Sequence, residues 1–118
     1  MRILVTGSRT WTDIQRVKWE LLRVYAPGNV LVSGHCPRGA DAIAEAVWTR
    51  LHRGSPPLEL YPAQWETFGR SAGYRRNKVM VDTNPDLVLA FIKDKSPGAT
   101  GCVNLALAKN IETRVFRA

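Results

Sequence analysis

Several short stretches of this chain gather side chains and backbone suited to holding a phosphorylated ligand. Gly7-Ser8-Arg9-Thr10-Trp11 joins a glycine that admits close backbone approach, two hydroxyls, a guanidinium whose planar fork fits phosphate, and an indole able to stack on a base. In Ser33 to Asp41, Gly34 and Gly39 flank Arg38, and backbone amides near Gly39 and Ala40 are candidates to hold phosphate. Asp41 and Glu45 stand one helical turn apart, and either carboxylate is a candidate to meet sugar hydroxyls or a glycosidic centre. The competing readings are a favourable first-turn charge for Asp41 and a solvated face for Glu45. Arg76-Asn77 precedes the apolar Val79 and Met80, so the polar pair can face a site while the apolar pair packs inward. Pro97, Gly98, Thr100 and Gly101 form a last phosphate-sized cradle. Neither a dinucleotide fingerprint nor a P-loop is present, and His35 has no partner at metal-ligand spacing, so no metal site and no cofactor are expected.

The elements that must position these groups alternate along the chain. Apolar runs predict strands at Ile3–Val5, Val30–Val32, Leu58–Tyr61, Leu87–Phe91 and Thr113–Phe116. Thr12 and Gln15 have capping-box spacing and predict a helix start, followed by Ile14, Val17, Leu21 and Val24 at helical period. Ala40, Ile43, Ala44, Val47, Trp48 and Leu51 make the clearest amphipathic stripe. Pro62 to Thr67 reads as irregular, a further helix is expected from about Gly69 to Val81, and a short one over Val103–Lys109. Strict alternation with short connections predicts an α/β fold, a single Rossmann-like domain with a five-stranded parallel sheet and helices on both faces. In such sheets ligands bind beyond the carboxyl ends of the strands. Gly7, Gly34 with Gly39, and Gly98 with Gly101 all follow predicted strands, so three loops are expected to converge on one edge.

Bulk properties agree with one globular domain. The chain has 118 residues, enough for a core without disulfides, and its 45% hydrophobic and 23% charged content is ordinary for a folded protein. Cys36 and Cys102 match no metal or redox spacing and read as reduced thiols, and no stretch reaches membrane-span length. With no apparent signal peptide, a cytoplasmic location is expected. The net charge of +7, carried by 12 Arg and 5 Lys against 10 acidic residues, favours anionic partners.

The order and spacing of these pieces resemble the SLOG superfamily, the Rossmann-like group that contains DprA/SMF proteins and the LOG phosphoribohydrolases, and in particular its small stand-alone YpsA-related members. The resemblance runs through Val5-Thr6-Gly7-Ser8-Arg9, Gly34, Arg38-Gly39-Ala40-Asp41, Ala63-Gln64-Trp65, Gly69, Ala72-Gly73, Arg76-Asn77, Met80 and Asp86 to Phe91. It implies a nucleotide-derived ligand with phosphate and ribose held between the first, second and fourth strand loops, and frequent homodimers. LOG enzymes cleave the N-glycosidic bond of a nucleoside monophosphate, with an Arg-Lys pair before the fourth strand and a Pro-Gly-Gly-x-Gly-Thr-x-Glu-Glu run after it. Here Arg76 matches that Arg and Asn77 stands at the Lys. Pro97-Gly98 and Gly101 match parts of the run, while Ala99, Cys102, Asn104 and Leu105 replace a glycine, the threonine and both glutamates. The loop carboxylates that would stabilise an oxocarbenium-like centre are therefore missing.

The expectation is a module that binds a small nucleotide-like ligand at the sheet edge, as sensor or sequestering protein, in a homodimer. An N-glycosidic hydrolase or transferase using Glu45 or Asp41 is the alternative. Single-stranded DNA binding, which would need stacking tryptophans in a basic groove, is less favoured, and no membrane partner is expected.

Overall fold

Ile3, Leu4 and Val5 are fully buried in succession because their strand lies at the centre of a sheet covered on both faces. The computed structural model describes residues 1–118. Strand β1 (Arg2–Gly7) leads to helix α1 (Ile14–Arg23), β2 (Val30–Ser33), α2 (Ala40–Leu51) and β3 (Leu58–Leu60). A short α3 (Trp65–Phe68) and a single 3-10 turn (Gly69–Ser71) run into α4 (Ala72–Asp82), followed by β4 (Leu87–Ile92), α5 (Pro97–Ala108) and β5 (Glu112–Arg117). The five strands are all parallel, in the order β3-β2-β1-β4-β5. The expected α/β architecture is therefore the observed one.

Side-chain alternation along the strands divides the core. Ile3, Val5, Leu31, Leu89 and Phe91 face α1 and α2, where they meet Val17, Leu21, Ala44 and Trp48. Leu4, Val32 and Val88 face the other way, onto Met80 and Val81 of α4 and Cys102 and Ala106 of α5. The period of two in the strands thus selects which helix pair each residue supports. The edge strand β5 carries Glu112, Arg114 and Arg117, and charge on an exposed edge discourages pairing with another sheet.

Three local expectations change. Helix α1 is capped by Asp13, whose carboxylate accepts from the Arg16 amide at 3.1 Å, and not by Thr12. Trp65 to Phe68 closes a helical turn inside the segment read as irregular. Helix α5 starts at Pro97, well ahead of Val103, because proline's fixed φ and missing N–H suit a first helical position. Two glycines inside its first turns hid that start from helix-propensity reasoning. No helix is long and apolar enough to cross a membrane.

Candidate functional site

Strand order reverses beside β1: the chain steps outward through β2 and β3, then returns to place β4 on β1's other side. The loops leaving β1 and β4 consequently diverge, and a crevice opens between them. Ser8 ties the two loops at its base. Its Oγ donates to the Lys93 carbonyl at 3.0 Å and accepts from the Lys93 amide at 2.8 Å, while its own amide donates to the Phe91 carbonyl at 2.9 Å. Gly7 and Gly39 make this joint close-packed. A Cβ on Gly7 would strike the Phe91 carbonyl, and one on Gly39 would strike the Ser8–Arg9 backbone.

Above this joint lies a cleft of about 630 Å³. The β1 loop contributes Gly7, Ser8, Arg9 and Thr10, and the start of α5 contributes Ser96, Pro97, Gly98, Ala99 and Gly101. From α4 and the turn before it come Arg70, Gly73, Tyr74, Arg76 and Asn77; Trp65, Cys36, Asp41, Lys93 and Asp94 complete the walls. Arg9, Arg70, Arg76 and Lys93 outnumber the carboxylates of Asp41 and Asp94, so the cleft is net cationic. The first-turn amides of a helix have no intrahelical partners, and Gly98 and Ala99 of the first turn of α5 line this cleft. Trp65 and Tyr74 add aromatic surface, with the Arg9 guanidinium 5.4 Å from the Trp65 ring centroid.

A chain of polar contacts spans the cleft. The Arg76 guanidinium donates to the Gly34 carbonyl, to the Tyr61 carbonyl at 3.4 Å and to Asn77 Oδ1 at 2.7 Å, and Asn77 Nδ2 donates to the Gly98 carbonyl at 3.3 Å. Asn77 is buried, and here a lysine would set a second cation against Arg76, whereas the amide orients it. Asp41 is buried too, at 7% exposure, and accepts from the Cys36 amide at 3.2 Å. Desolvation raises its pKa above the ordinary carboxylate value, opposed by the Cys36 hydrogen bond and the positive charge of Arg76.

A smaller compartment of about 440 Å³ adjoins the cleft and shares Arg9, Cys36, Trp65 and Arg76 with it. Gly34, His35 and Arg38 line this second space.

Not every residue singled out from the sequence reaches these spaces. Trp11, at 3% exposure, packs edge-on to Phe91 and donates from Nε1 to the Asp13 carbonyl, so its indole serves the core and not a base. The Ala40 amide, expected at phosphate, donates to the Ser8 carbonyl at 3.1 Å. Gly39 and Ala40 therefore shape the joint beneath the cleft. Glu45 lies outside the cleft, held by Ser33 Oγ at 2.8 Å and by His35 Nδ1 at 2.8 Å. Thr100 sits in the first turn of α5 without facing the cleft, its amide bonded to the Ser96 carbonyl. Conversely, Arg70, Tyr74, Lys93 and Asp94 line the cleft but lie in segments whose sequence offers only charge or an aromatic ring; their signal was position after β4 or on the α4 face.

Sequence comparison relates the chain to known proteins. Residues 1–68 match the YAcAr family, described as the YspA, cpYpsA-related SLOG family, and the matched stretch carries the loops after β1 and β2 together with Trp65. The chain is also 37% identical over 110 residues to the gene 61 protein of Mycobacterium phage D29, with 89% of this chain and 87% of that protein aligned. This chain belongs to the YspA, cpYpsA-related SLOG family. No solved structure matches it.

Proposed function

We propose that the cleft binds a nucleotide or nucleotide-derived ligand and that the protein acts as its sensor or sequestering module. The observation that carries this reading is the coincidence, at the β1/β4 switch point, of the α5 first-turn amides with four cationic side chains in one cleft of about 630 Å³. That volume lies in the range of small-ligand sites. Phosphate is stabilised by helix N-terminal amides and guanidinium groups, and Trp65 and Tyr74 offer faces on which a base can stack. Membership of the SLOG group supports a nucleotide-related ligand.

The test is thermal stabilisation of the protein across a panel of nucleotides. Arg9→Ala and Arg76→Ala should each abolish the stabilisation; if both variants respond as the parent does, the phosphate site lies elsewhere. A second reading, N-glycosidic cleavage, is favoured by one observation: Asp41 is a buried carboxylate on the cleft wall with a raised pKa, as a proton donor at a glycosidic bond requires. Release of free base from nucleoside monophosphates, abolished by Asp41→Asn, would support that activity. No release at high protein concentration would leave binding as the function.

A further inference from the structure

The second compartment has a composition unlike that of the main cleft. Arg9, Arg38 and Arg76 line its 440 Å³, and no carboxylate does. None of the three arginines forms an ion pair anywhere in the molecule. Arg76 feels the charge of Asp41 only from beyond ion-pair distance, and Arg9 and Arg38 have no carboxylate partner, so three guanidinium groups around one concavity favour an anion there. The wall is also held in place. His35 adopts a left-handed backbone (φ 57°), its Nδ1 is bonded to Glu45 Oε1, and the other Glu45 oxygen accepts from the fully buried Ser33. Because Arg9, Cys36, Trp65 and Arg76 border both spaces, one ligand can occupy them together.

We infer that this compartment is a second anion subsite, and that the ligand class is a nucleotide carrying more than one phosphoryl group. The inference rests on the main cleft being the nucleotide site. One phosphoryl group takes the main cleft, with the start of α5, Lys93, Arg9 and Arg76, and a further one takes Arg38 with the sides of Arg9 and Arg76 that border the second compartment. A mononucleotide fills only the first position.

Isothermal titration of the full chain at fixed ionic strength separates the possibilities, using 5′-monophosphates, 5′-diphosphates and 3′,5′-bisphosphates of the common ribonucleosides. The expected result is that one of the two doubly phosphorylated classes binds roughly tenfold tighter than the monophosphate of the same base, as one added charge-assisted contact provides. Arg38→Ala should erase that advantage while leaving monophosphate affinity within about twofold, since Arg38 borders only the second compartment. Arg53→Ala removes the same charge beyond the far end of α2 and should leave the advantage intact. Equal affinity for all three classes overturns the inference, as does an advantage that survives Arg38→Ala or is lost equally in Arg53→Ala. Measurable monophosphate binding with no gain from a second phosphate removes this inference alone. Absence of binding by every nucleotide removes the parent reading with it.

Discussion

Gly34 carries no side chain because the Arg76 guanidinium occupies the place where a Cβ would stand. The same guanidinium donates to the Gly34 carbonyl, so glycine and arginine, 42 residues apart, form one fitted contact between the loop after β2 and helix α4. Arg76 also reaches Tyr61 and Asn77, which makes it the hub on which the cleft and its neighbouring compartment meet.

Gly34→Ala should therefore reproduce the loss caused by Arg76→Ala, because an added methyl group displaces the guanidinium. Each single change is expected to cost about 1–3 kcal/mol of stability, the usual range for breaking a set of charged hydrogen bonds that is partly buried. The double variant should be no worse than the poorer single one, since both remove the same contact. Urea unfolding of the three variants checks this, and additive losses would show that the two residues act independently. Arg76→Lys should not rescue, because an ammonium cannot reach acceptors on three sides as a planar fork does.

Gly39 gives a second prediction, from backbone and sterics together. Its φ of +77° is left-handed, and a Cβ there would enter the Ser8–Arg9 backbone. Gly54 shares the positive φ (+101°) but has open space around it, and Gly28 has open space without the strained angle. Alanine should cost least at 28, about 1–2 kcal/mol at 54 from the left-handed backbone alone, and more than that at 39. Denaturant midpoints in that order would support the close-packed joint beneath the cleft, and a Gly39→Ala protein as stable as Gly54→Ala would contradict it.

Much of this was legible in the residues, and the failures have physical causes. The strand positions and the parallel sheet followed from apolar runs separated by breakers, because a buried parallel strand has little freedom to be polar. Arg9, Arg76 and Gly98 could be placed on the cleft because each follows or faces a strand end at the switch point. Trp11 and Glu45 could not be judged from spacing. An indole beside a glycine-rich loop looks the same in sequence whether it points to solvent or, as here, against Phe91. Glu45 is drawn away by Ser33 and His35, partners 12 and 10 residues distant that only the folded loop brings near. The Ala40 amide was lost to the Ser8 carbonyl for the same reason.

Asp41 should make the stability of the protein fall as pH rises above the ordinary carboxylate range. Its folded pKa is raised, chiefly by desolvation, so the folded state holds its proton to higher pH than the unfolded chain does. Between the two pKa values stability falls as pH rises, and the penalty is complete only above the folded pKa. Asp41→Asn keeps an oxygen for the Cys36 amide and removes the titrating group, so its melting temperature should gain on the parent's as pH rises above the ordinary carboxylate value. The gain should shrink as pH falls through the folded pKa and disappear below the ordinary carboxylate value, where both states are protonated. A constant gain at all pH values would mean that packing and not ionisation separates the two proteins. Such a cost is typical of a group kept for its site and not for stability.

The two cysteines offer a direct reading of whether the cleft is occupied. Cys102 is fully buried under α5, and burial pushes its thiol up to about 11, so at pH 8 only about one molecule in a thousand carries the reactive thiolate. Cys36 is half-buried and borders both the cleft and the second compartment. Iodoacetamide should therefore modify Cys36 alone in the folded protein, and Cys102 only after unfolding, as peptide mass mapping would show. A nucleotide seated across the shared wall should slow modification of Cys36 in proportion to its occupancy while leaving Cys102 unchanged. Protection by a nucleotide that stabilises the protein, lost in Arg76→Ala, would tie the ligand to this wall. Unaltered Cys36 labelling under saturating ligand would place the bound nucleotide away from both spaces.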